Sequence, residues 1–312
     1  MKAVVLRGHT AALEDVAAPR CEQPDDVVIG VTVAGVCRTD CYVATGMMPA
    51  RTPLVLGHEL AGVVREAGPG SGFQPGERVA CMPLLACGRC APCQAGRPHA
   101  CPRGHMLGLD RDGGFAELVR VPASALVRVP AGLSMRHAAF AEPVAAALAV
   151  PGILAGAGLE PASRGLILGQ GRIAALTGRA LAGAGRPVPT RPVPDRVDEH
   201  DIDAFDFVVE TTAGEDALAA ALALLRPRGT LVLKSRPPRP VALDVTTCVR
   251  KELRLAGAYY GPLAAAVQAM HTRAIEVDDL LGPGHGLADH QAVFAAELGG
   301  DEARKQFFVI GD

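Results

Sequence analysis

The chain has 312 residues, of which 49% are apolar and 21% charged, with 36 glycines, 25 prolines and nine cysteines. That length allows two domains of ordinary size, and a net charge of −2 with scattered lysine and arginine argues against a nucleic-acid partner. No apolar run is long enough for a membrane helix, and the strand-like start Met1-Lys2-Ala3-Val4-Val5-Leu6 does not look like a signal peptide, so a cytoplasmic protein without membrane partners is expected.

Residues 2–6 and 26–35 are predicted strands; Val27-Val28-Ile29 and Val31-Thr32-Val33 carry the β-branched side chains that suit a pleated surface. Gly35-Val36-Cys37-Arg38-Thr39-Asp40 follows the second strand, and Leu56-Gly57-His58-Glu59 precedes another apolar run. Cysteine, histidine and glutamate are all metal ligands, and at strand ends a loop can aim them at one point. Taken singly, Cys37 is more often a buried apolar thiol and His58-Glu59 an ordinary polar pair at a turn. Cys81, in the run Arg78-Val79-Ala80-Cys81-Met82, is expected in the core.

The strongest signal is Cys87-Gly88-Arg89-Cys90-Ala91-Pro92-Cys93, completed by Cys101. Such spacing brings four sulfurs to one ion only if the backbone curls, and Gly88, Pro92 and Gly96 suit that loop. Four thiolates favour a closed zinc site. An iron–sulfur cluster and disulfide pairs are the alternatives, disfavoured by the long last gap, the lack of a Cys-Pro repeat and the absence of secretory features. A closed four-thiolate site leaves no position for substrate, so any chemistry lies elsewhere.

Together and in this order, the Cys37 and His58 segments, Gly76-Glu77-Arg78-Val79, the four-cysteine loop, Gly113-Gly114-Phe115-Ala116-Glu117 and Glu142-Pro143 resemble the zinc-dependent medium-chain dehydrogenase family, which includes alcohol, sorbitol and threonine dehydrogenases. The resemblance implies an α/β fold: a GroES-like β-rich catalytic domain over 1–147, a truncated doubly wound Rossmann domain over 148–280, and a return to the first domain over 281–312. It implies two zinc ions per chain, a structural one on Cys87, Cys90, Cys93 and Cys101 and a catalytic one on Cys37, His58 and Glu142, with Glu59 a ligand or directly behind one. Glu142 replaces the cysteine of alcohol dehydrogenases and matches the polyol and threonine dehydrogenase branch. Thr39 falls where the family places the hydroxyl that passes on the substrate proton, and Asp40 where a carboxylate orients the ligand histidine. Tyr42 departs from the pattern, because a histidine often stands there to end a proton relay. A small-molecule substrate and a homodimer or homotetramer are the family expectation.

After Pro151 the composition shifts toward alanine, glycine and leucine. Residues 165–169 read as a buried strand, Gly169-Gln170-Gly171-Arg172-Ile173-Ala174 as a dinucleotide turn, and residues 174–183 as the following helix. Gly169, Gly171, Arg172 and Ile173 are therefore the candidate pyrophosphate-binding positions, with an ordinary strand–turn–helix as the plain alternative. Next come four prolines, at 187, 189, 192 and 194, where a second central strand is due. Proline cannot donate to a ladder, so only an edge strand is possible. The short span from Arg191 to the next predicted strand, 205–210, leaves no room for a third, and the sheet is expected to be truncated there. Thr190 and Arg191 fall near the ribose-binding position; a cation there suits the 2′-phosphate of NADP over NAD, with simple solvation of an exposed edge by Arg191 as the plain alternative. Residues 215–225 and 263–274 are predicted helices, and 228–234, 250–257 and 302–310 predicted strands or strand approaches.

The expectation is a zinc-dependent oxidoreductase that moves hydride between a secondary alcohol or polyol-like substrate, or its ketone, and NADP or NAD. The damaged second strand keeps open a non-redox zinc enzyme catalysing elimination, cyclisation or hydration. A zinc-stabilised binding protein is weaker, since it leaves Cys37, Thr39, Asp40, His58 and Glu142 without a use.

Overall fold

The computed structural model describes all residues except Ala213, residues 301–303 and Asp312. Its contacts divide into two units, Met1–Glu142 with Leu263–Asp312, and Pro143–Pro262. The first begins with strands β1 (Lys2–Arg7), β2 (Thr10–Asp15) and β3 (Asp26–Gly35), helix α1 (Arg38–Ala44) and β4 (Leu54–Val55). It continues through β5 (Glu59–Ala67), β6 (Arg78–Cys81), β7 (Leu84–Leu85), α2 (Ala91–Gln94), β8 (His105–Met106), β9 (Leu118–Pro122), β10 (Leu126–Arg128) and α3 (Met135–Ala139). Helix α4 (Ala141–Gly156) then leads into the second unit, which holds β11 (Gly165–Leu168), α5 (Arg172–Gly183), β12 (Thr190–Arg191), β13 (Phe205–Glu210), α6 (Glu215–Leu224), β14 (Leu225–Leu233), α7 (Val245–Arg250) and β15 (Arg254–Gly257). The chain returns to the first unit with α8 (Leu263–His271), β16 (Leu281–His285), α9 (His290–Gly299) and β17 (Lys305–Val309).

In the first unit the sheet runs β10-β6-β5-β3-β17-β16, with β9 also on β3. Strand β3 is buried along nearly its whole length, so its sequence is a continuous apolar run without alternation. Its last residues pair with the starts of both neighbours: Gly35 lies opposite Glu59 of β5 and opposite Phe307 of β17. That register brings the C-terminal strand, with Lys305, beside the Cys37 and Glu59 region. Phe115 packs edge-on to Phe308 at 4.8 Å and tilted on Phe294 at 6.0 Å, joining α9 and β17 to this core.

The second unit is a five-stranded sheet in the order β12-β11-β13-β14-β15, parallel throughout. The truncated doubly wound sheet expected from the prolines is present. Strand β12 has two residues, both exposed, at the sheet edge. It meets β11 through carbonyls: the O of Pro189, directly before it, receives the Ile167 N–H at 3.0 Å, and Arg191 O receives the Gly169 N–H at 2.8 Å. An edge position removes any need for the N–H groups that proline lacks.

Several boundaries differ from expectation. Helix α4 runs unbroken across 147/148, and the contact division falls inside its first turn, at Glu142/Pro143. The return to the first unit begins at Leu263 and not at 281, because α8 buries Leu263, Ala266, Val267 and Met270 and packs against β10. That helix stops at His271 and not at 274; Arg273 takes a φ of 58°, which ends the helical path. The last strand is β17; residues 302–303 of its predicted span lie outside the described residues.

Helix α6 passes into β14 with no loop, leaving its last carbonyls to be satisfied by a side chain. Lys251 does this: Nζ donates to Leu222 O at 2.6 Å and Leu225 O at 2.9 Å, and pairs with Asp203 at 2.7 Å. Replacing Lys251 with methionine should cost about 1.5–3 kcal/mol of unfolding free energy in denaturant titration, the scale of a lost charged hydrogen-bond set. An unchanged midpoint would show that solvent can replace the lysine.

Candidate metal centres and nucleotide crevice

Among the described residues, two clusters of side chains able to ligate a metal lie within the first unit, and each has its ligand atoms within 4.8 Å of one another. The first joins Cys87, Cys90, Cys93 and Cys101. Gly88 and Gly96 take φ values of 69° and 70°, turning the chain before and after α2 so that the cysteines converge. Sγ of Cys90 lies 3.3 Å from that of Cys93 and 3.7 Å from that of Cys101. A tetrahedron of sulfurs about 2.3 Å from zinc has edges of ~3.8 Å, whereas a disulfide bond is about 2 Å, so the spacing suits an ion. The Arg89 N–H, followed by the Cys90 N–H and neighbouring thiols, brings Cys87 down to about 5, whereas burial and the adjacent sulfurs push Cys93 up to about 12. Such a set loses its last protons only to a cation.

The second cluster is Cys37, His58 and Glu59. Cys37 is the N-cap of α1, and Asp40 three residues on accepts its backbone N–H at 2.9 Å. The other oxygen of that carboxylate, Oδ1, lies 2.8 Å from His58 Nδ1, with both side chains wholly buried. A carboxylate only accepts, so in the neutral ring Nδ1 carries the proton and Nε2 presents its lone pair. Burial alone lowers the His58 pKa, but the Asp40 charge and hydrogen bond, then Cys37, outweigh it and hold the group well above its ordinary value. The site favours a positive charge at the imidazole.

Glu59 completes the arrangement. Its Oε1 accepts from Lys305 Nζ at 2.6 Å, in an ion pair that is 1% exposed on the Glu59 side and 3% on the other. Lys305 also donates to Val36 O at 3.0 Å. The second oxygen, Oε2, lies over the backbone of Gly35, where a Cβ would stand 2.5 Å away; only glycine leaves room for the carboxylate. Among the described residues, Glu59 Oε2 and His58 Nε2 are both buried without a hydrogen-bond partner. Unsatisfied buried acceptors are costly, and two of them beside a thiol fit a cation that all three would ligate.

Other predicted positions fall as follows. Thr39 is buried in the first turn of α1. Glu142 is buried in the first turn of α4 but lies outside the three-residue cluster, so the carboxylate already gathered with Cys37 and His58 is that of Glu59. Burial pushes the Cys41 and Cys81 thiols up, as for apolar packing groups. Lys305 gave no motif signal; its place follows from the β17 register and is visible only in the fold.

In the second unit the glycine-rich turn leaves β11 and starts α5, with Gly171 as N-cap and Arg172 and Ile173 in the first turn. Gly169 has a φ of 135°, and a Cβ there would collide with Thr211 Oγ1 at the end of β13. The turn therefore presents backbone, and the first N–H groups of α5 lack helical acceptors, a fit for a pyrophosphate. Thr190 is exposed beside it. Arg191 is committed elsewhere: Nη1 pairs with Asp201 at 2.6 Å, and the guanidinium lies 5.9 Å from the Phe205 ring centre.

Residues 23–131 match the alcohol dehydrogenase GroES-like domain. The chain is 34% identical to scyllo-inosose 3-dehydrogenase of Thermotoga maritima over 60% of its own length and 53% of that protein's, so with this relative it spans about half. It is 27% identical to 2-dehydro-3-deoxy-L-galactonate 5-dehydrogenase of Pseudoalteromonas atlantica over 96% of this chain and 94% of the relative. A protein of Sinorhizobium meliloti 1021 described as a zinc-binding dehydrogenase, solved bound to NADP, superposes with a TM-score of 0.83 at 28% identity over 99% of this chain and 98% of that one.

Replacing Cys90 with serine should lower the thermal midpoint by several degrees and release metal, whereas Cys37→Ser should lose one metal with the midpoint nearly kept. Metal analysis alongside calorimetry checks this, and equal destabilisation by both would contradict the division between structural and reactive sites. The domain match, the whole-length relatives and the two ligand clusters point the same way: residues 23–131 form an alcohol dehydrogenase GroES-like domain, and the chain along its length is similar to zinc-type dehydrogenases.

Proposed function

We propose that the protein is a zinc-dependent oxidoreductase that transfers hydride between a secondary alcohol or polyol-like substrate, or its ketone, and NADP or NAD. The observation that carries this is the pair of buried acceptors without partners, His58 Nε2 and Glu59 Oε2, grouped with Cys37. Zinc bound by those three residues would supply Lewis acidity toward a substrate oxygen and lower a hydroxyl pKa. The nicotinamide nucleotide would supply the redox chemistry.

The chain's own residues have separable tasks. Asp40 fixes the His58 tautomer and at the same time holds the start of α1, so one carboxylate orients two donors. Lys305 ties down one Glu59 oxygen and leaves the other for the cluster. Thr39, two residues after Cys37, is the candidate to pass the substrate proton onward, and burial shields that proton from bulk water. Glu142 is proposed as a further carboxylate donor, by its likeness to the polyol dehydrogenase branch. The relatives named for inosose and galactonate dehydrogenation support a polyhydroxy substrate class. Cys87, Cys90, Cys93 and Cys101 are proposed to hold the structural zinc.

On the nucleotide side, Gly169, Gly171 and the N-terminus of α5 would cradle the pyrophosphate, with Arg172 and Ile173 beside it. Thr190 and Arg191 would meet the adenosine ribose, and Arg191 favours NADP if a 2′-phosphate displaces Asp201. A second reading, non-redox zinc chemistry, draws support from the two-residue β12 and from the Arg191–Asp201 pair, which both reduce the adenosine side.

Fluorescence titration of the purified protein with NADPH and NADH separates the two. The redox reading expects saturable binding below millimolar concentration, with Arg191→Ala weakening NADPH about tenfold and NADH little. Absence of binding by either would leave the non-redox reading. Activity should fall at least 100-fold in Glu59→Gln if that carboxylate is a ligand, with the fold intact by circular dichroism.

A further inference from the structure

We propose that Ser134, His137 and Asp278 form an acyl-transfer site on the first unit, in which the Ser134 hydroxyl attacks a small carboxylic ester. The site shares no residue with either metal cluster and does not rest on the redox reading above. All three residues belong to the unit Met1–Glu142 with Leu263–Asp312.

Ser134 is the N-cap of α3, and Asp278 opens the short helical turn Asp278–Leu280 between α8 and β16. His137 lies between them. Its Nε2 is 3.0 Å from Asp278 Oδ1, and its Nδ1 is 2.7 Å from Ser134 Oγ. A carboxylate only accepts, so in the neutral ring the proton sits on Nε2, and Nδ1 offers its lone pair to the serine hydroxyl. Ser134 Oγ also accepts the His137 backbone N–H at 3.2 Å, which engages one of its lone pairs and leaves the other for an electrophile. The order hydroxyl, imidazole, carboxylate is that of a nucleophile, its base and the group that orients the base. A helix cap alone needs only the backbone bond to Ser134. It does not call for a carboxylate 141 residues further along the chain to hold the far side of the ring.

The surroundings give the hydroxyl a place to meet a substrate. Ser134 is exposed, whereas the His137 side chain is 24% exposed, so the nucleophile is open and the base partly shielded. Ser134, His137 and Asp278 all border a cavity of about 160 Å³. Its other walls include Leu133, Met270, Ile275 and Val277, all buried, an apolar lining that suits a short acyl chain. The segment before Ser134 is pinned from β6, where the Arg78 guanidinium donates to Pro130 O at 3.3 Å and to Leu133 O. The nucleophile is therefore held in place before substrate arrives.

In the reaction the Ser134 hydroxyl proton passes to His137 Nδ1 as Oγ bonds to the ester carbonyl carbon. The ester C–O bond then breaks, and the leaving alcohol takes that proton. Water repeats the sequence on the acyl-serine, releases the carboxylic acid and restores the hydroxyl. Ester and water alone complete the balance.

The test is stopped-flow release of p-nitrophenolate from p-nitrophenyl acetate and p-nitrophenyl butyrate by the full-length, zinc-loaded protein, with peptide mass spectrometry after an acid quench. The expected result is a burst of about one p-nitrophenolate per chain, with the acyl group on the peptide that holds Ser134. Ser134→Asn keeps a preferred N-cap but removes the nucleophile, and should abolish both signals. His137→Gln should slow acylation at least about 100-fold, the scale of a lost general base, and Asp278→Ala by a smaller factor. Hydrolysis that continues in Ser134→Asn, as a metal-bound nucleophile would give, would overturn the assignment and leave Ser134 a helix cap. Acyl groups found only on other residues, or unchanged acylation in folded His137→Gln, would overturn it equally.

Discussion

The arrangement of the Cys37, His58 and Glu59 cluster depends on the Asp40–His58 contact, a buried carboxylate 2.8 Å from a buried imidazole. Asp40 cannot move without also releasing the Cys37 backbone N–H that starts α1. The thiol, the imidazole and the helix are therefore set by one group. Glu59 is fixed independently, by Lys305 from the far end of the chain and by the space over Gly35. The resulting set joins a thiol and a carboxylate with an imidazole, and a cation among them offsets charge that burial would otherwise make costly.

The two metal clusters differ in how much of them the sequence revealed. The loop at Cys87–Cys101 is local: its spacing, glycines and proline already imply convergence, and the sulfurs do converge. The reactive cluster is assembled from β3, β5 and β17, so its parts were legible only as a family pattern. Cys37 and His58 lie close together in the fold, with Asp40 against the imidazole. Glu142 lies outside the observed group and Glu59 lies inside it, because the register Gly35 opposite Glu59 places the latter carboxylate directly over the site. Lys305 was invisible beforehand, since a single lysine in a strand signals nothing until pairing shows what it faces.

The second unit was legible through its faults. Prolines at 187, 189, 192 and 194 excluded a central strand, and the fold places between them a two-residue edge strand, preceded by Pro189, which contributes its carbonyl. Helix boundaries were missed by a few residues where the deciding factor was tertiary, as with α8 packing against β10.

The most direct test of the central claim, that Cys37, His58 and Glu59 hold a reactive zinc distinct from the four-cysteine one, is X-ray absorption at the zinc edge of the fully loaded protein. With two zinc ions per chain, one on four sulfurs and one on a single sulfur with nitrogen and oxygen, the mean first shell should hold about 2.5 sulfurs per zinc. Cys37→Ser, which is expected to lose the second ion, should raise that value toward about four. One zinc per chain surrounded by four sulfurs in the wild type would contradict the account.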